Sequence, residues 1–349
     1  MENRIDSLDY LRGLMALGIM IYHYFSWTYG SYGSESFLGI LGIYGVSTFY
    51  VLSGLTLYVV YSKRLTIDTI LHFTIKRFFR IYPLLWISIF LTIFLLNKTF
   101  DIKTIWLNIS GLFGFLAHDK YISTGAWSIG NELVFYAFFP LIILFAKKIK
   151  FFVEAFFIAS LFVAIYFAFF YLDVNQTLGK QWSIYINPLN QLFLFSGGIL
   201  IGKLIGSYRN NLISLFLLFV TVLILVFYPV SGNRINLLVD WNRLLFASLC
   251  FVITIVFLLM DFPLSKWINK ILSKLGHISY TVYLIHPIVF WYLNKFKTIE
   301  YFNKSIQPEM FIGISIITTF LISIVIYELI EYKFIKIGRA LTKQKSSLA

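Results

Sequence analysis

Cysteine is almost absent from this chain: Cys250 is the only one in 349 residues. A lone cysteine inside an apolar run excludes intrachain disulfides, cysteine-based zinc sites and redox pairs, and leaves a small core residue. Charge is scarce as well, at 13% of residues, and acid is scarcer than base, 16 against 29. So little charge cannot cover the surface of a soluble protein of this length. What is abundant is apolar, with 59% hydrophobic residues, 20% aromatics and a mean hydropathy of +0.81. These values define a polytopic membrane protein. In a soluble chain the net charge of +13 would point to nucleic acid. Here the basic residues sit in short loops between apolar runs, where they set topology, and nucleic acid is not an expected partner.

Ten runs are long enough, or nearly so, to cross a bilayer as helices, the form that satisfies every backbone group in lipid. They lie near 8–27, 37–61, 78–96, 127–146, 151–172, 188–205, 212–230, 241–260, 278–293 and 310–330. The expected fold is therefore all-α, a polytopic membrane helical bundle of about ten transmembrane helices. The polar stretch 1–9 is followed by no clear small-residue cleavage site, so the first run is expected to be retained. The stretch 106–117, interrupted by Gly111 and Gly114, is too short to span and is expected to lie in the interface or to re-enter. Lys and Arg on alternate sides of the spans number roughly 20 against roughly 9, which places both termini in the cytoplasm. The richest cytoplasmic connection, 62–80, carries Lys63, Arg64, Lys76, Arg77 and Arg80 among apolar residues, a pattern that predicts an amphipathic helix on the inner surface. The expected division is one transmembrane domain over 1–338 and a basic cytoplasmic tail over 339–349.

Ionisable residues inside such runs are costly in lipid, so each is a functional candidate. Arg12 and His23 share the first run, with ten residues between them. At about 1.5 Å per residue His23 lies roughly 16 Å further along, past the middle of a hydrocarbon core about 30 Å thick. Glu132 and His286 fall at similar depths in the fourth and ninth runs. Arg12, Arg77 and Arg80 collect at the opposite boundary. Arg77 and Arg80, three apart on a helix, face one way, and guanidinium forks match phosphate oxygens. An inner anion site and an outer acid/base site suggest one long ligand reaching between them. Each residue also has a plainer role. Arg77 and Arg80 are topology signals, His23 a packing histidine with a satisfied hydrogen bond, Glu132 half of a structural ion pair, and His286 a companion of the kink at Pro287. Spacing alone leaves both readings open.

The local sequence narrows them. LDYLRGLMALGIMIYH (8–23) resembles the opening motif of the acyltransferase-3 family of integral membrane O-acyltransferases. The likeness continues through GVSTFYVLSG (45–54), KRFFRIYP (76–83), WSIGNELVFYAFFP (127–140), LGHISYTVYLIHP (275–287) and YELIEYKF (327–334), all in the family's order. In the last block the family carries a proline two residues after the glutamate, and here Lys333 stands in that place. With only about a dozen residues after Gly338, no appended esterase-like domain is expected, so the chain is similar to the stand-alone form.

The resemblance implies a transferase in the bacterial plasma (inner) membrane. It would move an acyl group, most simply acetyl, from cytoplasmic acetyl-CoA to a hydroxyl of a surface polysaccharide or lipid-linked glycan, such as O-antigen, on the outer side, with no metal. On that expectation Arg77 and Arg80, with Arg12, hold the donor's phosphates, coenzyme A being a phosphate-rich head on a long thin arm. His23 is the general base, its ordinary pKa near 6.5 suiting that role. Glu132 supports the imidazolium as the carboxylate does in acyl-transfer triads. Trp127, His286 and Asp9 belong to the substrate side, with Trp127 stacking on the acceptor sugar, and Asp9 is alternatively a partner of Arg12. Ser53, Tyr280 and His286 are candidates for stabilising the oxyanion. The rival class is a glycan flippase or exporter, or a proton-coupled transporter, using the same polar interior as a passage. Against it stands the absence of an inverted repeat and of matched Gly/Pro-broken helices. An inactive relative acting as an assembly partner is a third reading, and a homodimer is left open.

Overall fold

The structure is a computed structural model that describes residues 5–206, 208–261, 264–297 and 307–343. Among these residues every regular element is helical and no strand occurs. In chain order the helices are α1 (Asp6–Tyr29), α2 (Phe37–Tyr61), α3 (Ile70–Leu96), α4 (Ile102–Ser110), α5 (Phe113–Leu116), α6 (Ala126–Lys148), α7 (Phe152–Tyr166), α8 (Trp182–Tyr185), α9 (Pro188–Leu204), α10 (Asn211–Phe227), α11 (Asp240–Leu259), α12 (Lys266–Lys297), α13 (Pro308–Ile326) and α14 (Tyr332–Lys343). α7 and α13 each run on into a π-helical turn, Phe167–Tyr171 and Tyr327–Glu331. Starts are set by local chemistry: Asp101 caps α4 by accepting from the Thr104 amide, and Asn187 caps α9 ahead of Pro188 in the first turn.

Each of the ten expected runs coincides with a helix, but among the described residues six helical stretches are both long and apolar enough to cross a membrane. These are Phe37–Tyr61, Ile67–Leu96, Ala126–Lys148, Phe152–Tyr171, Asp240–Leu259 and Pro308–Thr342. Of the remaining four, α10 has 17 residues, and α9 follows a 60° bend from the segment Leu178–Tyr185. α1 and α12 are long, at 24 and 32 residues, yet too polar. Apolarity measures contact with lipid, and these two helices pack on each other and on α2, α3 and α13 instead. The outward surface falls to helices such as α7, α10 and α13, where Phe162, Phe216, Phe219, Phe227 and Leu321 are exposed. An apolar surface of this extent belongs in a bilayer, and the chain is a multi-pass membrane protein.

The separate amphipathic helix expected at 62–80 is not formed. Lys76, Arg77 and Arg80 lie in the first turns of α3, which continues through Pro83 to Leu96. The reason is the apolar residue between the basic ones: Phe73 is buried and meets Tyr61 of α2 and Phe139 of α6 at ring distances of 5.0 and 5.4 Å, so this turn docks into the bundle. The short segment after it is broken into two short helices. α4 and α5 break at Gly111, whose φ of 75° is left-handed, and Tyr82 and Trp86 donate to the carbonyls of Ser110 and Ile109. α14 runs across the boundary expected at 338, with Thr342 buried, and the rest of the expected tail, 344–349, lies outside the described residues.

α1 and α12 run in the same direction, and their contact sets the register of the site. A Cβ at Gly276 would stand 2.3 Å from the Asp9 carbonyl oxygen, and one at Gly13 would stand 2.8 Å from the Gly276 amide nitrogen. Only glycine permits backbones this close, as small residues do throughout membrane helix pairs. Ten residues beyond Gly13 is His23, and ten residues beyond Gly276 is His286. Equal rise along two parallel helices brings these two side chains together. Gly276→Val is therefore expected to force the helices apart, lowering stability by about 1–3 kcal/mol and separating the histidines. Thermal unfolding of the detergent-solubilised chain checks the first effect and an activity assay the second.

Candidate functional site

α1, α2, α3, α6, α12 and the segment from Tyr327 to Arg339 enclose a cavity of about 830 Å³. Six basic residues line it, Arg12, Lys76, Arg77, Arg80, Lys274 and Arg339, against four acidic ones, Asp9, Glu132, Glu328 and Glu331. Near the N-terminal end of the bundle Lys274 pairs with Glu328. Deeper, Arg12 donates to Asp9 at 2.9 Å and to the Thr56 hydroxyl at 2.8 Å. Tyr136 donates to Glu132 at 3.2 Å, and its oxygen lies 2.7 Å from the Ser53 hydroxyl. Glu331, 2% exposed, accepts from Thr281 at 2.6 Å. Arg80 lies within electrostatic reach of Glu331, Glu132 and Asp9.

Arg77 is held differently. Its guanidinium sits 5.7, 5.8 and 5.9 Å from the ring centroids of Tyr61, Phe73 and Tyr136. Such rings stabilise a cation without using up its donors. One long bond of 3.5 Å reaches the Tyr61 hydroxyl, while the buried Nε has no hydrogen-bond partner among the described residues. The cavity thus combines an excess of positive charge with a guanidinium whose donors are not satisfied from within, the electrostatic profile of an anion site.

The two histidines form a separate constellation. His23 Nδ1 lies 2.9 Å from His286 Nε2, and His286 Nδ1 lies 2.9 Å from the Val282 carbonyl oxygen. A carbonyl only accepts, so His286 Nδ1 carries the hydrogen. In a neutral ring Nε2 is then a lone pair, which accepts from His23 Nδ1, and in neutral His23 that leaves Nε2 as the free basic nitrogen. His286, 1% exposed, fixes the tautomer of His23. Trp27 stacks on the His23 ring at 4.8 Å and 4°.

The expected site residues therefore divide. Arg12, Arg77, Arg80, Glu132 and Asp9, with Ser53 and Tyr280, meet in one cavity, whereas His23, His286 and Trp127 lie outside its lining. Phe49 and Tyr283 are both on the cavity wall, and Tyr283 joins it to the histidines. Their ring centroids are 6.0 Å apart, and Tyr283 is 6.2 Å from His286. The Tyr283 hydroxyl is anchored, donating to the Gly125 carbonyl and accepting from Ser128.

Two expected roles change with this geometry. Glu132 does not support His23: it faces the arginines, and a second histidine occupies the supporting position. Trp127 has no free face for a sugar, being 6% exposed and packed among Tyr50, Trp182 and Tyr185. Asp9 is the partner of Arg12, the alternative that the sequence also offers. Of the oxyanion candidates, Tyr280 donates to the Ile81 carbonyl and Ser53 bonds Tyr136. Sequence reasoning gave no role to Glu331, although it is the glutamate two residues before Lys333 in the block 327–334, nor to Tyr136 or Trp27. Glu331 had a visible signal, an acid at the end of the last apolar run.

A family model described as an acyltransferase domain matches residues 5–328. The chain belongs to the acyltransferase-3 family of membrane acyltransferases. No curated protein and no solved structure matches it.

Glu331→Ala is expected to leave Thr281 without its acceptor and Arg80 without one of its nearby countercharges, a loss of about 1.5–3 kcal/mol. Glu331→Gln recovers part of it by restoring an acceptor. Unfolding midpoints of the three chains check this order.

Proposed function

We propose that the chain is an acyl-CoA-dependent O-acyltransferase that moves acetyl from cytoplasmic acetyl-CoA to a hydroxyl of a glycan on the outer side of a bacterial inner membrane. The observation that carries this reading is the convergence of Arg12, Arg77 and Arg80 on one net-basic cavity, one aromatic layer away from a histidine whose hydrogen bonds leave Nε2 basic. In this reading the cavity takes the donor, with its phosphates on the arginines and its thioester arm directed at Phe49 and Tyr283. Those two rings must part for the arm to reach His23. The acceptor oxygen attacks the thioester carbonyl carbon as its proton passes to His23 Nε2. A carbon–oxygen bond forms, the carbon–sulfur bond breaks, and the departing thiolate takes the proton back from the imidazolium, giving an ester and coenzyme A. Trp27, stacked on the ring, stabilises the transient cation.

The test is transfer of radiolabelled acetyl from acetyl-CoA to glycan by the purified chain in nanodiscs. His23→Ala is expected to lower the rate about 10²–10⁴-fold, and His286→Ala to lower it by less, with little change in donor affinity. Movement of glycan across the membrane with the label still on coenzyme A would instead identify a transporter. Separately, Arg77→Glu together with Arg80→Glu is expected to weaken acetyl-CoA binding by at least about ten-fold. Unchanged affinity in titration calorimetry would reduce these arginines to topology signals.

A further inference from the structure

At the end of the bundle opposite the Arg12 boundary lies a second cavity of about 300 Å³, at the small end of the ligand-sized range. Three loop segments build it, residues 31–33 after α1, 177–179 before α8, and 232–234 before α11. The loops are tied to one another. The Ser34 amide and hydroxyl both donate to the Gly232 carbonyl, the Gly232 amide donates to Glu35 at 3.0 Å, and the Leu178 amide donates to Asn233 at 3.3 Å. Arg234 belongs to the lining and donates to the Tyr22 hydroxyl. No carboxylate among the described residues forms an ion pair with it. Glu35, the acid tied to the same loops, has one oxygen occupied by the Gly232 amide. Tyr22 is followed by His23, their ring centroids are 5.1 Å apart, and Arg234 lies within electrostatic reach of His23.

We propose that this cavity is the acceptor subsite and that it takes a sugar unit bearing an oxyanion, a carboxylate or a phosphate ester, gripped by Arg234. The proposal rests on the transferase reading and adds to it the chemical class of the acceptor. A guanidinium with four further N–H groups and no carboxylate of its own matches a bidentate oxyanion. Anchored through Tyr22 beside His23, it holds an anionic sugar at the end of α1 where the basic nitrogen is found. Arg234 is thus a positioning and specificity residue, selecting for charge and orienting the acceptor.

Saturation-transfer NMR on the full chain in nanodiscs, with no acyl donor present, reads binding by itself. The probes are methyl glucuronoside, glucose 6-phosphate and neutral methyl glucoside. Both charged sugars are expected to bind at least about ten-fold more tightly than the neutral one. Arg234→Gln is expected to abolish that preference, and Arg234→Lys to keep part of it. Gly179→Leu gives an independent steric test, because Gly179 lines the cavity and a Cβ there meets nothing within 4 Å, so the added side chain is expected to take up cavity space. It is expected to weaken all three sugars, and it carries the test if Arg234→Gln does not fold. Equal binding of charged and neutral sugars by the parent chain, a preference surviving Arg234→Gln, or unaltered binding in Gly179→Leu overturns the proposal. Failure of labelled acetyl transfer with charge-selective binding intact would overturn the transferase reading alone and leave an anionic-sugar site standing.

Discussion

Everything in this bundle depends on the close contact of α1 with α12. Two parallel helices that meet backbone to backbone at Gly13 and Gly276 can carry polar side chains that lipid would reject, because each covers the other. The contact does two things at once. It fixes the ten-residue register that joins His23 to His286, and it holds Asp9 and Arg12 at one end, where α2 and α3 close around them. A surface helix could do neither. The apolar helices α7 and α10 form the boundary against lipid, and the polar pair inside holds the chemistry.

Electrostatics explains why the cavity is not simply a set of ion pairs. If every guanidinium were matched by a carboxylate, the interior would be stable and inert. Here the acids are fewer than the bases. Asp9 is committed to Arg12, Glu331 is bonded by Thr281, and Glu132 by Tyr136. Arg77 is held by aromatic faces instead, which stabilise a cation while leaving its donors for something else. A buried Nε with no partner costs stability that a structural role alone does not recover. Binding of an anion would recover it, and this is the physical ground for the proposed donor site.

The helical architecture was largely legible in the sequence, since each apolar run became a helix, and the arginines of the first and third runs converged as their depths implied. Two features were not legible, for definite reasons. α1 and α12 count as spans by length although they are too polar to meet lipid on every side, and what shields them, their packing on each other and on α2, α3 and α13, joins positions far apart in the sequence. Depth along a helix also says nothing about azimuth. Glu132 and His23 fall at similar depths by rise alone, yet Glu132 turns toward Arg80 while His23 turns toward α12. The pairing of His23 with His286 spans 263 positions and follows from a glycine contact that no local pattern announces. Trp127 shows the same limit. An aromatic residue near a helix start looks the same in sequence whether it faces a sugar or, as here, three other rings.

The aromatic layer between arginines and histidines has a consequence of its own under the transferase reading. A thioester held in a basic cavity open toward the donor's side is exposed to water, and a base in permanent contact with it would hydrolyse the donor. On that reading Phe49 and Tyr283 keep the two apart, with Tyr283 tied to the start of α6 through Ser128 and Gly125. Rotating these rings aside costs packing and two hydrogen bonds. Donor binding at the arginines can offset that cost only if the whole molecule, head and arm, is in place. Binding energy spent at the phosphates would then appear as access at the thioester, so the arginines govern when the histidine can act as well as where the donor sits. On the proposed reading, a chain built this way would discriminate against short thioesters that lack the anionic head, although their reactive carbonyl is the same.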